Sequence, residues 1–148
     1  MTKTLNENSI AAYACNTHNG LTRNYNEDRI SIIHDLQNPN VKFSKSQQRI
    51  SFFAVYDGHG GKGCAEFLRD HLHNYIASSA HFPTSIELAI RDGCAQAEDK
   101  FQEQNRDGVV RDRSGSCAIL CIITDGKVTV ANVGDSRAIL TSKSGAVN

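Results

Sequence analysis

The chain has no excess of charge of either sign. Sixteen Lys and Arg balance sixteen Asp and Glu over 148 residues, so nothing electrostatic drives non-specific binding to nucleic acid or to an anionic membrane. No apolar run approaches bilayer-spanning length, and the opening stretch MTKTLNENSIAAYACNTHNG lacks the continuous apolar core of a signal peptide. Prolines number two, and no repeat or low-complexity tract interrupts the sequence. The five cysteines include no CxxC pair. An odd set of this kind reads as reduced thiols, so a cytoplasmic setting is expected, with the nucleus as a second compartment. Cys117 and Cys121, four apart in an apolar run, read as core. What remains is the length and 39% hydrophobic content of one soluble globular domain.

The pattern along the chain mixes two periods. Residues 28–36 (DRISIIHDL) carry a β-branched run, 8–15 a weaker strand pattern, and 37–49 are polar and turn-rich. Residues 50–56 (ISFFAVY) are apolar on both sides of the alternation, which predicts a strand covered on both faces. Residues 62–79 place Ala65, Leu68, Leu72, Tyr75, Ile76 and Ser79 on one helical stripe. A second helix is expected over 82–101, with a buried stripe of Ile86, Ile90, Cys94, Ala97 and Phe101 and a Thr84/Glu87 capping box. QEQNRDGVVRDR then reads as a polar connection. CAILCIIT and KVTVANV, joined by Asp125-Gly126, predict a hairpin. Gly134-Asp135-Ser136 would turn the chain into a third strand, RAILTS. The expected class is α+β, an antiparallel sheet with helices packed on a face.

Three polar clusters are left over once the core is assigned: Arg23-Asn24-Tyr25-Asn26-Glu27-Asp28, Asp57-Gly58-His59-Gly60-Gly61 and Gly134-Asp135-Ser136-Arg137. Each puts an acid at a strand end. Hard cations such as Mg²⁺ or Mn²⁺ take oxygen ligands. Asp57 can offer a carboxylate and Gly58 a carbonyl, and Glu27 and Asp28 can add oxygens directly or through water. Arg23 has the fork that suits phosphate, and His59 can donate a proton to a leaving oxygen. Plainer readings stand beside these. Asp-Gly is a common turn pair, Asp135-Ser136 also reads as a turn, and an Arg or a Glu-Asp pair is usually solvated surface charge.

Taken together and in order, GLTRNYNEDR, FFAVYDGHGG, SGSCAIL and VANVGDSRAIL resemble the metal-dependent protein serine/threonine phosphatases of type 2C (the PPM family). The resemblance runs from about Ala12 to Leu140. It implies an antiparallel β-sandwich flanked by helices, with two Mg²⁺ or Mn²⁺ ions in a cleft, hydrolysing phosphoserine and phosphothreonine proteins through a metal-bound water. Carried onto this chain, Asp57 bridges the metals, Gly58 offers its carbonyl, and Glu27 faces the second metal through a water. Asp28 is an outer ligand, Arg23 binds the substrate phosphate, His59 is the general acid, and Asp135 joins a further, weaker metal site. The family pattern continues past Asn148 with an Asp-Gly and an Asp-Asn motif that complete the first metal. Residues 1–148 therefore read as the N-terminal portion of such a domain. Its own activity is in question, and a non-catalytic phosphoprotein-binding or regulatory role is the alternative. Cysteine-based phosphatase chemistry is disfavoured, because no cysteine heads a CX₅R-type loop.

Overall fold

The computed structural model describes residues 10–40, 49–107, 112–124, 126–142 and 145–147. Four antiparallel strands pair in the order β1 (Arg29–Ile33), β2 (Ile50–His59), β3 (Gly115–Thr124) and β4 (Lys127–Val133). Two helices, α1 (Gly63–Ser78) and α2 (Ile86–Asp107), lie between β2 and β3 in sequence. They pack on each other and on one face of the sheet. A separate hairpin joins β5 (Leu140–Ser142) to β6 (Gly145–Val147).

The core follows from the alternation of side chains along the strands. Cross-strand neighbours Ala54 and Leu120, and Phe52 and Ile122, point to the helices, which answer with Ala65, Phe67, Leu72 and Ile76 of α1 and Ile86, Ala89, Ile90 and Ala97 of α2, all buried. The other face holds rows such as Ile30–Val55–Ile119 and Ile32–Phe53–Cys121–Val130. Val55, Val128 and Val130 on that face are 43–50% exposed. The expectation that β2 is covered on both faces is thus met on one face only. Tyr13, Ala14 and Cys15 cross the second face and leave a groove of about 220 Å³. Cys117 and Cys121 point to this same face, alternating with the helix-facing Ala118, Leu120 and Ile122, and are half-buried rather than part of the core.

Three further expectations change. Of the strand expected over 8–15, residues 8 and 9 lie outside the described residues and 10–15 form no strand. RAILTS does not extend the meander: only its last three residues are extended, and they pair with β6 rather than β4. The capping box does not form, since the Thr84 hydroxyl donates to the His81 carbonyl and Glu87 pairs with Lys127 across to β4. Asp125 of the hairpin turn lies outside the described residues. Thr124 and Lys127 pair across that two-residue turn, with Gly126 at φ 77°, as a tight hairpin turn requires.

Candidate active site

The Asp57-Gly58-His59 string continues β2 rather than turning away from it. Asp57 pairs with Cys117, Gly58 with Ser116 and His59 with Gly115. The common turn reading of Asp-Gly therefore fails here, because a long-range strand partner takes these residues up. Alternation then sends Asp57 and His59 outward, where both are exposed, and buries Gly58. A Cβ on Gly58 would stand 2.4 Å from the Glu27 carbonyl oxygen, so the close approach of loop and strand needs a glycine. That approach brings the first two polar clusters to one sheet end. His59 lies across Gly115, whose absent Cβ would meet its Nε2, and the ring opens on a cavity of about 610 Å³ beside Phe101, Asn105 and Arg106 of α2.

The loop before β1 is held from several sides. Asn19 Nδ2 donates to the Arg23 carbonyl at 2.6 Å, and the Asp28 amide donates to Asn26 Oδ1 at 2.9 Å. Arg29 donates to the Asn26 and Asp28 carbonyls and pairs with Glu66 of α1 at 2.7 Å. This fixes Glu27, which is buried at 8% exposure. One of its carboxylate oxygens accepts from Arg23 Nη1 at 2.6 Å and the other from the Gly61 amide at 2.6 Å. Gly60 and Gly61 take φ values of 66° and 128°, a backbone that few other residues adopt, and the turn at Gly60 leads into the peptide whose N–H, on Gly61, meets Glu27. Asp28 sits close enough to Asp57 for the two charges to interact. Burial raises its carboxyl above the usual carboxylate range, and the Asp57 charge raises it further against the pull of Arg23.

Asp135 reaches the same end of the sheet from the far side. The Cys117 thiol, on the residue paired with Asp57, donates to Asp135 Oδ1 at 3.2 Å, and Gly134 packs directly on that sulfur. The site residues singled out from the sequence thus stand at one sheet end in three places: Arg23, Glu27 and Asp28 with Asp57 and Gly58, Asp135 with Cys117, and His59 at the α2 cavity. Four contributors are given no role from the sequence, although each lies in one of the strings quoted above. They are the Gly61 amide, Arg29, Cys117 and Ser114, whose hydroxyl accepts from the Cys64 amide at 2.8 Å and so caps α1 from fifty residues away. Only the paired fold brings these together.

The donor set suits a hard cation in part. Asp28 and Asp57 are like charges that a cation would relieve, and they offer oxygen ligands. Among the described residues, no three acidic, His or Cys side chains stand together in a group able to hold an ion, so an ion here would keep several waters. Glu27 is turned to Arg23 and Gly61 rather than to Asp57.

A family model described as Protein phosphatase 2C matches residues 17–148. The chain belongs to the protein phosphatase 2C family. It is 36% identical over 126 residues to Probable protein phosphatase 2C 27 of Oryza sativa subsp. japonica, a match covering 84% of this chain and 35% of that relative. To Probable protein phosphatase 2C 54 of the same plant it is 35% identical over 119 residues, covering 80% and 31%. To Protein phosphatase 2C homolog 2 of Aspergillus fumigatus it is 34% identical over 122 residues, covering 79% and 28%. The chain therefore spans about a third of the length of these curated relatives. Among solved structures, a bacterial serine phosphatase carrying an arginine-to-glutamate change superposes with a TM-score of 0.69 at 19% identity, covering 88% of this chain and 57% of that one. That likeness is one of fold.

Proposed function

We propose that this site belongs to a hydrolase that removes phosphate from phosphoserine and phosphothreonine side chains of proteins, with two Mg²⁺ or Mn²⁺ ions. The observation that supports it most is the gathering at one sheet end of Asp57 and His59 on β2 with Arg23, Glu27 and Asp28 on the preceding loop. Asp57, Asp28 and the Gly58 carbonyl would hold the metals, Glu27 would face them through water, and Asp135 would serve a further ion. Bound ions of this kind supply an activated water and neutralise phosphate charge. The chain's own part is positioning and protonation. Arg23, 65% exposed at its side chain, binds the phosphate oxygens. His59 donates a proton to the departing Ser or Thr oxygen. The cavity beside it on α2 gives the peptide room at the strand end.

The protein is expected to release inorganic phosphate from a phosphothreonine peptide only when Mg²⁺ or Mn²⁺ is present, and Asp57→Ala should abolish the release. Turnover that survives excess EDTA would refute a metal-dependent site. Peptide binding without turnover would point to a phosphoprotein-binding role.

A further inference from the structure

Arg23 is the residue proposed to bind phosphate, and in this structure it is already bound to an anion. Its Nη1 donates to Glu27 Oε2 at 2.6 Å. The pair is not a loose surface contact. The Glu27 side chain is 91% shielded, and its second oxygen is pinned by the Gly61 amide at 2.6 Å. Charge-assisted bonds of this length are the strong ones. Arg23 itself is exposed and makes no other side-chain hydrogen bond among the described residues. A guanidinium with a carboxylate already in contact offers less net positive charge to a second anion, and a phosphate dianion arriving beside that carboxylate meets like charge at close range. The amide that holds the carboxylate follows Gly60, whose φ of 66° sets the direction of the peptide that carries the Gly61 N–H.

We infer that Glu27 is a built-in competitor for the phosphate site: held by the Gly61 N–H, its carboxylate occupies Arg23 until it is drawn away or neutralised. This rests on the proposed role of Arg23 as phosphate ligand. It extends that role by making cation and phosphate binding mutually reinforcing. A cation that draws on the Glu27 charge weakens its hold on Arg23, and by linkage a phosphate on Arg23 leaves Glu27 freer for a cation. Glutamine at position 27 keeps an oxygen for the Gly61 N–H but carries no charge, so it separates the competition from the fold.

The test is a titration of the 148-residue chain with inorganic phosphate, followed by NMR of the Gly61 amide and the Arg23 Nε–H, first in EDTA. Glu27→Gln should bind phosphate about five- to tenfold tighter than wild type, within the usual range for two linked sites, and Arg23→Ala should lose the binding. Glu27→Gln binding phosphate no tighter than wild type overturns the inference. A readout on wild type alone covers a variant that folds poorly: the Glu27 side-chain carboxyl ¹³C resonance should shift in step with Arg23 as phosphate is added, and a carboxyl resonance that stays still while Arg23 shifts overturns it equally. Absence of phosphate binding at Arg23 in every protein removes the parent reading instead. Adding Mg²⁺ then tests the linkage: phosphate affinity should rise in wild type and change less in Glu27→Gln, and equal gains in both contradict it.

Discussion

On the proposed reaction, replacing His59 with alanine should lower kcat on phosphothreonine peptides by about 10²–10⁴-fold, the usual worth of a general acid. The effect is expected to be chemical rather than structural. His59 is exposed at the end of β2 and its ring rests on Gly115 at the edge of the α2 cavity, so removing the ring opens no void in the core. A threonine alkoxide is a poor leaving group and needs the proton, whereas an aryl phosphate leaves as a stabilised phenolate. The loss on an aryl phosphate should therefore be much smaller. Steady-state kinetics on both substrates decide the matter, and equal losses would remove His59 from the role of acid.

Gly58→Ala should be among the most damaging single-methyl changes in the chain. The new Cβ would lie 2.4 Å from the Glu27 carbonyl oxygen and 3.2 Å from its carbon. Both are backbone atoms, so no side chain can swing aside. Either β2 loses its pairing with β3 at Ser116, or the loop bearing Arg23, Glu27 and Asp28 moves off the strand. Overpacking of this kind costs about 1–3 kcal/mol, and the absence of a flexible neighbour puts this site near 3. For a chain of this length that is a fall in Tm of about 6–12 °C. Thermal unfolding of the variant beside wild type reads it directly. An unchanged melt would mean that the loop does not rest on the strand as described.

The hairpin of β3 and β4 was legible from alternation and a turn pair, and β4 begins and ends where the pattern puts it. Less legible was anything that depends on a distant partner. Asp57-Gly58 looks like a turn until Cys117 and Ser116 pair with it. RAILTS looks like a third strand, yet its last three residues pair with Gly145–Val147 instead. The apolar stripe of α2 stops at Phe101, but the helix runs on to Asp107, carried by surface pairs such as Lys100 with Glu103. At the site, the acids, the arginine and the histidine stood out as strings. What they bind to did not. Glu27 could be seen as a ligand, but its engagement by the Gly61 amide, thirty-four positions away, follows from the glycine conformations and the approach at Gly58, which no spacing encodes. Arg29 anchoring the loop to Glu66 was hidden for the same reason.

Whether divalent metal meets this chain at Asp57 is the point on which the functional account turns. Calorimetric titration of the 148-residue chain with Mn²⁺ at neutral pH, set beside the same titration of Asp57→Ala, tests it without reference to turnover. Asp57 and Asp28 offer few of the oxygens that a hard cation wants, so binding should be weak in wild type and disappear in the variant. Mn²⁺ binding of equal strength in both proteins would contradict it.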